Sequence, residues 1–187
     1  FLCKGKGKDM PFERFELLVG SKNFQKIQQL KVMVVGVGGV GGYVVESLPR
    51  CGIATLVLVD FDTVSLSNLN RQIIATYETV GEKKVEVFQK RIQQISPATE
   101  VIALATSFDV SLLSLYPVDF VVDACDDLTA KKALLTECLR LSIPFLSCMG
   151  TGKRLDPSKL VITTLDKTHS DPLARVLRKY VKDNRIR

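Results

Sequence analysis

Histidine is almost missing from this 187-residue chain, which has one, and its five cysteines (Cys3, Cys51, Cys125, Cys138 and Cys148) contain no CxxC spacing. Neither a zinc ribbon nor a disulfide framework can be read from such a set, and a reducing cytoplasm is the expected compartment. Four of the five lie in or beside apolar runs, where a free thiol is ordinarily a small buried hydrophobe and no catalytic nucleophile. Long apolar runs are missing too. None approaches the roughly 18 to 20 residues that cross a bilayer, and the lysine-bearing start has no apolar stretch behind it, so neither an anchor nor an export signal is expected. Internal repeats and low-complexity segments are absent. What is present is 46% hydrophobic and 25% charged residues with a net charge of +6, the balance of one ordinary domain with a sizeable core. The charge is compatible with an anionic partner and by itself decides nothing. The chain opens at Phe1 in place of Met and stops at Arg187 after a basic helical pattern, so a fragment of a longer gene product is expected.

Short β-branched runs alternate with helical periodicity. Residues 31–36 (KVMVVG), 55–60 (TLVLVD), 101–105, 118–124 (VDFVVDA), 144–149 and 160–165 read as strands buried on both faces. Residues 22–30, 40–50, 82–95, 109–115, 129–141 and 171–182 read as helices, the last started by Pro172. This alternation predicts a single α/β domain over 1–187, Rossmann-like and doubly wound, with a mostly parallel sheet and flanking helices. Residues 1–30 form an N-terminal helical arm in this reading, and 150–187 a C-terminal part that could take a substrate.

Gly36-Val37-Gly38-Gly39-Val40-Gly41 follows the first strand and opens the first helix of the alternation, a placement that lets backbone approach a phosphate at a helix N-terminus. The same letters satisfy GxGxxG, and Asp60, 19 residues after Gly41, would hold ribose hydroxyls. On this motif alone NAD and ATP stand level, beside a tight turn with no ligand. The polar insertion after Asp60 (FDTVSLSNLNRQ) lies at the carboxyl end of a strand, where ligands of open α/β sheets bind. A triphosphate attacked at its α-phosphorus needs fixed cations, and Arg71 and Lys84 qualify. Asp126 and Asp127 are either helix caps or, at a strand end, a magnesium carboxylate.

GVGGVG, DFDTVSLSNLNRQ, VGEKKVE and VDACDD, in this order and spacing, resemble the ATP site of the ubiquitin-activating-enzyme-like superfamily, of ThiF, MoeB and HesA type, from about Arg14 onward. The resemblance implies a phosphate loop of Gly36, Gly38, Gly39 and Gly41, ribose binding by Asp60, and phosphate contacts from Asn68, Arg71 and Lys84. It gives Asp126 the magnesium or phosphate end, and Arg14 the role of the arginine that these dimeric enzymes send into the partner's ATP site. Arg14, Arg71, Lys84 and Asp126 are then the catalytic set, with ATP and Mg²⁺ as cofactors and a homodimer as the assembly.

Within that superfamily, the stretches GKRLDP and DKTHSDPLAR are similar to the tRNA threonylcarbamoyladenosine dehydratases. That resemblance implies an AMP-forming, ATP-dependent enzyme that adenylates the threonyl carboxylate of the modified adenosine at position 37 of tRNA and lets the substrate's own atoms close a ring. CMGTG departs from the glycine content expected of that stretch, which bears on the substrate pocket. The lack of an evident Cys/His or Ser/His pair fits, because an intramolecular attack needs positioning more than an enzymic nucleophile. A basic surface of Lys153, Arg154, Lys159, Lys167, Arg175, Arg178, Lys179, Lys182, Arg185 and Arg187 would take the tRNA, or is simply a solvated face. His169 is a surface residue or a neighbour of the substrate carboxylate. Three alternatives stand beside this reading: a carrier-protein adenylyltransferase with a sulfur-transfer or carrier protein as partner, an NAD-dependent oxidoreductase, and a non-catalytic scaffold.

Overall fold

The computed structural model describes residues 11–186. Five strands, β1 (Lys31–Val35), β2 (Thr55–Val59), β3 (Glu100–Leu104), β4 (Phe120–Asp123) and β5 (Phe145–Ser147), make one sheet in the order β3-β2-β1-β4-β5. Every neighbouring pair is parallel, with Val34 of β1 flanked by Leu58 of β2 and Val122 of β4. Valine and leucine fill both faces of the central strands because helices cover both sides; all five residues of β2 are buried.

The helices are α1 (Glu13–Val19), α2 (Ser21–Ile27), α3 (Gly41–Arg50), α4 (Lys84–Ile95), α5 (Ser111–Leu115), α6 (Leu128–Leu141) and α7 (Pro172–Asp183). Alternation along β1 divides the core in two. Val32 and Val34 pack with Val45 of α3 and Val85, Phe88 and Ile92 of α4. Met33 and Val35 face the other way, onto Leu113 of α5 and Leu134 and Cys138 of α6. On the outside of α6 lies α7, whose Ala174 and Leu177 are buried and whose Tyr180 ring carries the Lys132 ammonium 5.2 Å from its centroid. No helix among the described residues is long and apolar enough to cross a membrane.

One predicted strand is corrected. Residues 160–165 form no strand: the segment runs exposed between two 3₁₀ turns, Pro157–Lys159 and Leu165–Lys167, with Ile162 92% exposed. β-propensity describes fitness for a paired, half-buried surface, and β5 ends the sheet without a neighbour for this segment among the described residues.

Candidate active site

The strand order reverses direction at β1, between β2 and β4, which opens a crevice at the carboxyl ends of the strands. A cavity of about 820 Å³ occupies it, lined by segments that follow all five strands. That volume suits a nucleotide with a reacting group beside it.

The glycine loop enters first. Gly36 leaves β1 with φ +85°, and a Cβ there would lie 2.8 Å from the backbone of Cys125, so only glycine lets the loop pass β4. Gly36, Gly38 and Gly39 line the cavity. Gly41, expected to bind the cofactor, does not line it; a Cβ there would meet the Gly36 carbonyl oxygen at 1.8 Å, so its part is to let α3 start against the loop.

Asp60 follows β2 and accepts hydrogen bonds from the backbone N–H of Val37 at 2.8 Å and of Asp62 at 2.9 Å. Its carboxylate thus ties the glycine loop to the polar insertion, with acceptor capacity left over for a ribose. Asn68 is buried at the end of a 3₁₀ turn, where its Oδ1 accepts from Ser65 N–H at 3.1 Å. Arg71 lies over Gly39, its Cγ 3.4 Å from where a Cβ on that glycine would be, and its guanidinium donates to the Ser67 carbonyl and Asn70 Oδ1, both at 2.9 Å. Of the two neighbouring lysines, Lys84 lines the cavity. It starts α4, is buried, and donates to Asp62 Oδ2 at 2.7 Å, which leaves two ammonium protons for a ligand. Asp62 is therefore the counter-ion of the site's buried cation.

After β4 the two adjacent aspartates separate. Asp127 caps α6, accepting from Thr129 and Ala130 N–H at 2.6 and 3.0 Å, whereas Asp126 is exposed on the cavity wall. No group of three metal-ligating side chains occurs among the described residues, so a divalent ion here would need phosphate oxygens beside Asp126, as magnesium with a nucleotide usually has. Arg14 sits in α1 and does not line the cavity of its own chain. His169 is exposed and lies outside the lining as well.

The sequence reading missed a buried node beneath this wall. Lys131 of α6, 1% exposed, donates to both carboxylate oxygens of Asp123 at 2.9 Å and to the Cys148 carbonyl at 2.8 Å. Ser147 and the Cys125 thiol also donate to Asp123. The signal was an aspartate inside an apolar strand run with a lysine one turn into the next helix. Cys125 and Cys148 line the cavity as poor nucleophiles: burial, then the Asp123 charge, pushes the Cys125 thiol up to about 12, and burial raises Cys148. The lining loop after β3, Thr106 to Val110, carried no sequence signal of its own.

Of the ten basic residues on the C-terminal part, Arg187 lies outside the described residues. Arg178 is withdrawn from the surface set: it is half-buried and donates to the Thr168 carbonyl at 2.8 Å, clasping α7 to the preceding turn. Arg154 donates to the Ser170 carbonyl and stays exposed. Lys153, Lys159, Lys167, Arg175, Lys179, Lys182 and Arg185 are exposed.

The ThiF family model matches residues 13–173. This chain belongs to the ThiF family. It is 38% identical over 179 residues to the tRNA threonylcarbamoyladenosine dehydratase of Bacillus subtilis, covering 94% of this chain and 70% of that protein. The Escherichia coli enzyme of the same name is 38% identical over 170 residues, covering 89% of the chain and 63% of the relative. The crystal structure of E. coli tRNA N6-threonylcarbamoyladenosine dehydratase, TcdA, in complex with ATP superimposes with a TM-score of 0.89 at 37% identity, over 92% of this chain and 72% of that one. The Rossmann-like architecture of this ThiF domain is thus shared with an ATP-binding relative.

Proposed function

We propose that this chain carries the ATP-dependent, AMP-forming step of a tRNA threonylcarbamoyladenosine dehydratase. One observation carries the reading: a nucleotide-sized cavity at the switch point holds the glycine loop, Asp60, Arg71, Lys84 and Asp126 on a single wall system, in a chain 38% identical to dehydratases of two bacteria. Asp60 would take the ribose, and the glycine loop, Asn68, Arg71 and Lys84 the phosphates. Asp126 would hold Mg²⁺, which supplies charge neutralisation between phosphate oxygens. A carboxylate oxygen of the substrate attacks the α-phosphorus, the bond to pyrophosphate breaks, and the fixed charges of Arg71 and Lys84 stabilise the charge that develops. A neighbouring atom of the same substrate then attacks the activated carbonyl, AMP departs with the bonding pair, and the ring closes. No enzymic nucleophile is used, in keeping with the raised pKa values of the cavity thiols. The exposed lysines and arginines of α7 and the preceding loops would meet tRNA phosphates, with binding that weakens as salt rises. A cytoplasmic homodimer completes the reading.

The test is AMP formation from Mg²⁺ and ATP with three substrates: tRNA carrying threonylcarbamoyladenosine, unmodified tRNA, and a Gly-Gly-ended carrier protein. Stimulation by the modified tRNA alone is expected, lowered about 10²- to 10³-fold in Arg71→Ala. Stimulation by the carrier alone would move the protein to the sulfur-carrier branch and overturn the dehydratase reading.

A further inference from the structure

Gln72 is the residue next to Arg71, and its side chain is more deeply placed than its neighbour's. Only 6% of it is exposed, yet it lines the cavity. Backbone bonds fix it in the loop, its N–H donating to the Asn68 carbonyl at 2.9 Å and its own carbonyl accepting from Ala75 N–H at 3.0 Å. The amide then reaches the glycine loop: Nε2 is the atom that a Cβ on Gly38 would meet, at 3.7 Å. The other end, Oε1, is shut away from solvent and has no hydrogen-bond partner, the sole buried side-chain nitrogen or oxygen in that state among the described residues.

A buried acceptor without a donor destabilises the empty protein, and a hydrocarbon of equal length in the same space would avoid that penalty. The orphaned Oε1 thus makes no hydrogen bond within the protein, and Nε2 is the end of the amide that faces the glycine loop. Nε2 is a neutral donor beside Gly38, on the wall where phosphates would lie. Phosphate oxygens are acceptors only, and a donor carried by a side chain that is 6% exposed needs little reorganisation to meet them. We infer that Gln72 is a phosphate ligand of this site, donating from Nε2 to the nucleotide phosphate held over Gly38. The inference rests on the nucleotide reading of the cavity and adds to it a residue selected for the ligand against the stability of the empty protein.

Two substitutions of equal reach test it, with binding of Mg·ATP and the thermal midpoint of the nucleotide-free protein both measured. Gln72→Met removes both polar atoms; nucleotide affinity is expected to fall roughly tenfold while the midpoint holds or rises. Gln72→Glu sets a carboxylate against the phosphate and is expected to bind more weakly still. A structural role for Gln72 makes the opposite prediction, a lowered midpoint in Gln72→Met with unchanged affinity, and that result overturns the inference. Tighter Mg·ATP binding by Gln72→Glu also overturns it, because the acceptor end would then face the ligand's cation. If the unsubstituted chain binds ATP and Gln72→Met binds it equally, this inference alone fails; if the unsubstituted chain binds no ATP, the nucleotide reading fails first.

Discussion

At the scale of single residues the site depends on charges that water does not reach. Lys131 has 1% of its surface exposed and Asp123 the same, and the polar partners of the pair are each other and the Ser147, Cys125 and Cys148 groups around them. Ion pairs in such places add little against a hydrophobic substitute, but removing one partner strands the other. Lys131→Met is therefore expected to lower stability by about 3 to 5 kcal/mol, and the double variant Lys131→Met, Asp123→Leu to recover most of that loss. Urea unfolding of the three proteins measures it. A loss below about 1 kcal/mol in the single variant would mean that Asp123 finds water or another donor when Lys131 is gone. The same node bonds the end of β4 to the end of β5 through the Cys148 carbonyl, so it also sets the spacing of the two cavity walls that carry Asp126 and the CMGTG loop.

At the scale of elements, α3 and α4 are joined by Glu46. Its carboxylate accepts from Arg91 of α4 at 2.5 and 2.9 Å and from Arg50 one turn along α3 at 2.6 Å. The Arg91 hydrogen bond is the main reason its pKa is lowered from an ordinary value near 4.5, with burial opposing and Arg50 assisting. A carboxyl group whose folded pKa is depressed stabilises the fold above the unfolded value and loses that contribution as pH falls through the folded one. Glu46→Gln should therefore unfold at lower urea than the parent at neutral pH, and the two midpoints should converge as pH falls below the ordinary value near 4.5 and on through the lowered folded one. A gap that persists undiminished in acid would assign the effect to packing. Elements of this kind were legible in the sequence wherever a local pattern and its tertiary surroundings agreed. The five β-branched runs that became strands each had a parallel neighbour, and α3, α4, α6 and α7 matched their helical periodicity to within about two residues. Residues 160–165 carry the same β-branched pattern and failed as a strand because pairing is a property of two segments. Within the site, the residues singled out on a spaced motif (Gly36, Gly38, Gly39, Asp60, Arg71, Lys84) all line the cavity. Asp62, Gln72, Asp123 and Lys131 were not singled out, since their significance lies in which buried partner each has or lacks, and spacing along the chain does not encode that.

At the scale of the whole molecule, the described residues give the cavity two cations, Arg71 and Lys84, and one of them is already paired with Asp62. A triphosphate brings more negative charge than those two side chains neutralise, so charge from the proposed Mg²⁺ and from a second copy of the chain would complete the site. Helix α1 carries Arg14 and presents Leu17 and Leu18 to solvent at 79% and 80% exposure, an apolar face suited to a second copy of the chain. In the proposed homodimer Arg14 would enter the partner's site. Arg14→Ala should then lose AMP formation while keeping nucleotide affinity, and Arg71→Ala should lose AMP formation on its own side. Each mixed dimer of the two variants contains one intact site, with Arg71 from one chain and Arg14 from the other. Equal mixing after dissociation should restore about a quarter of the parent rate, because half of the dimers are mixed and each has one competent site of two. AMP release by the mixture, compared with each variant alone, reads this directly. A mixture no faster than its components, with mixed dimers verified by mass, would place Arg14 in its own chain's site or outside the chemistry altogether.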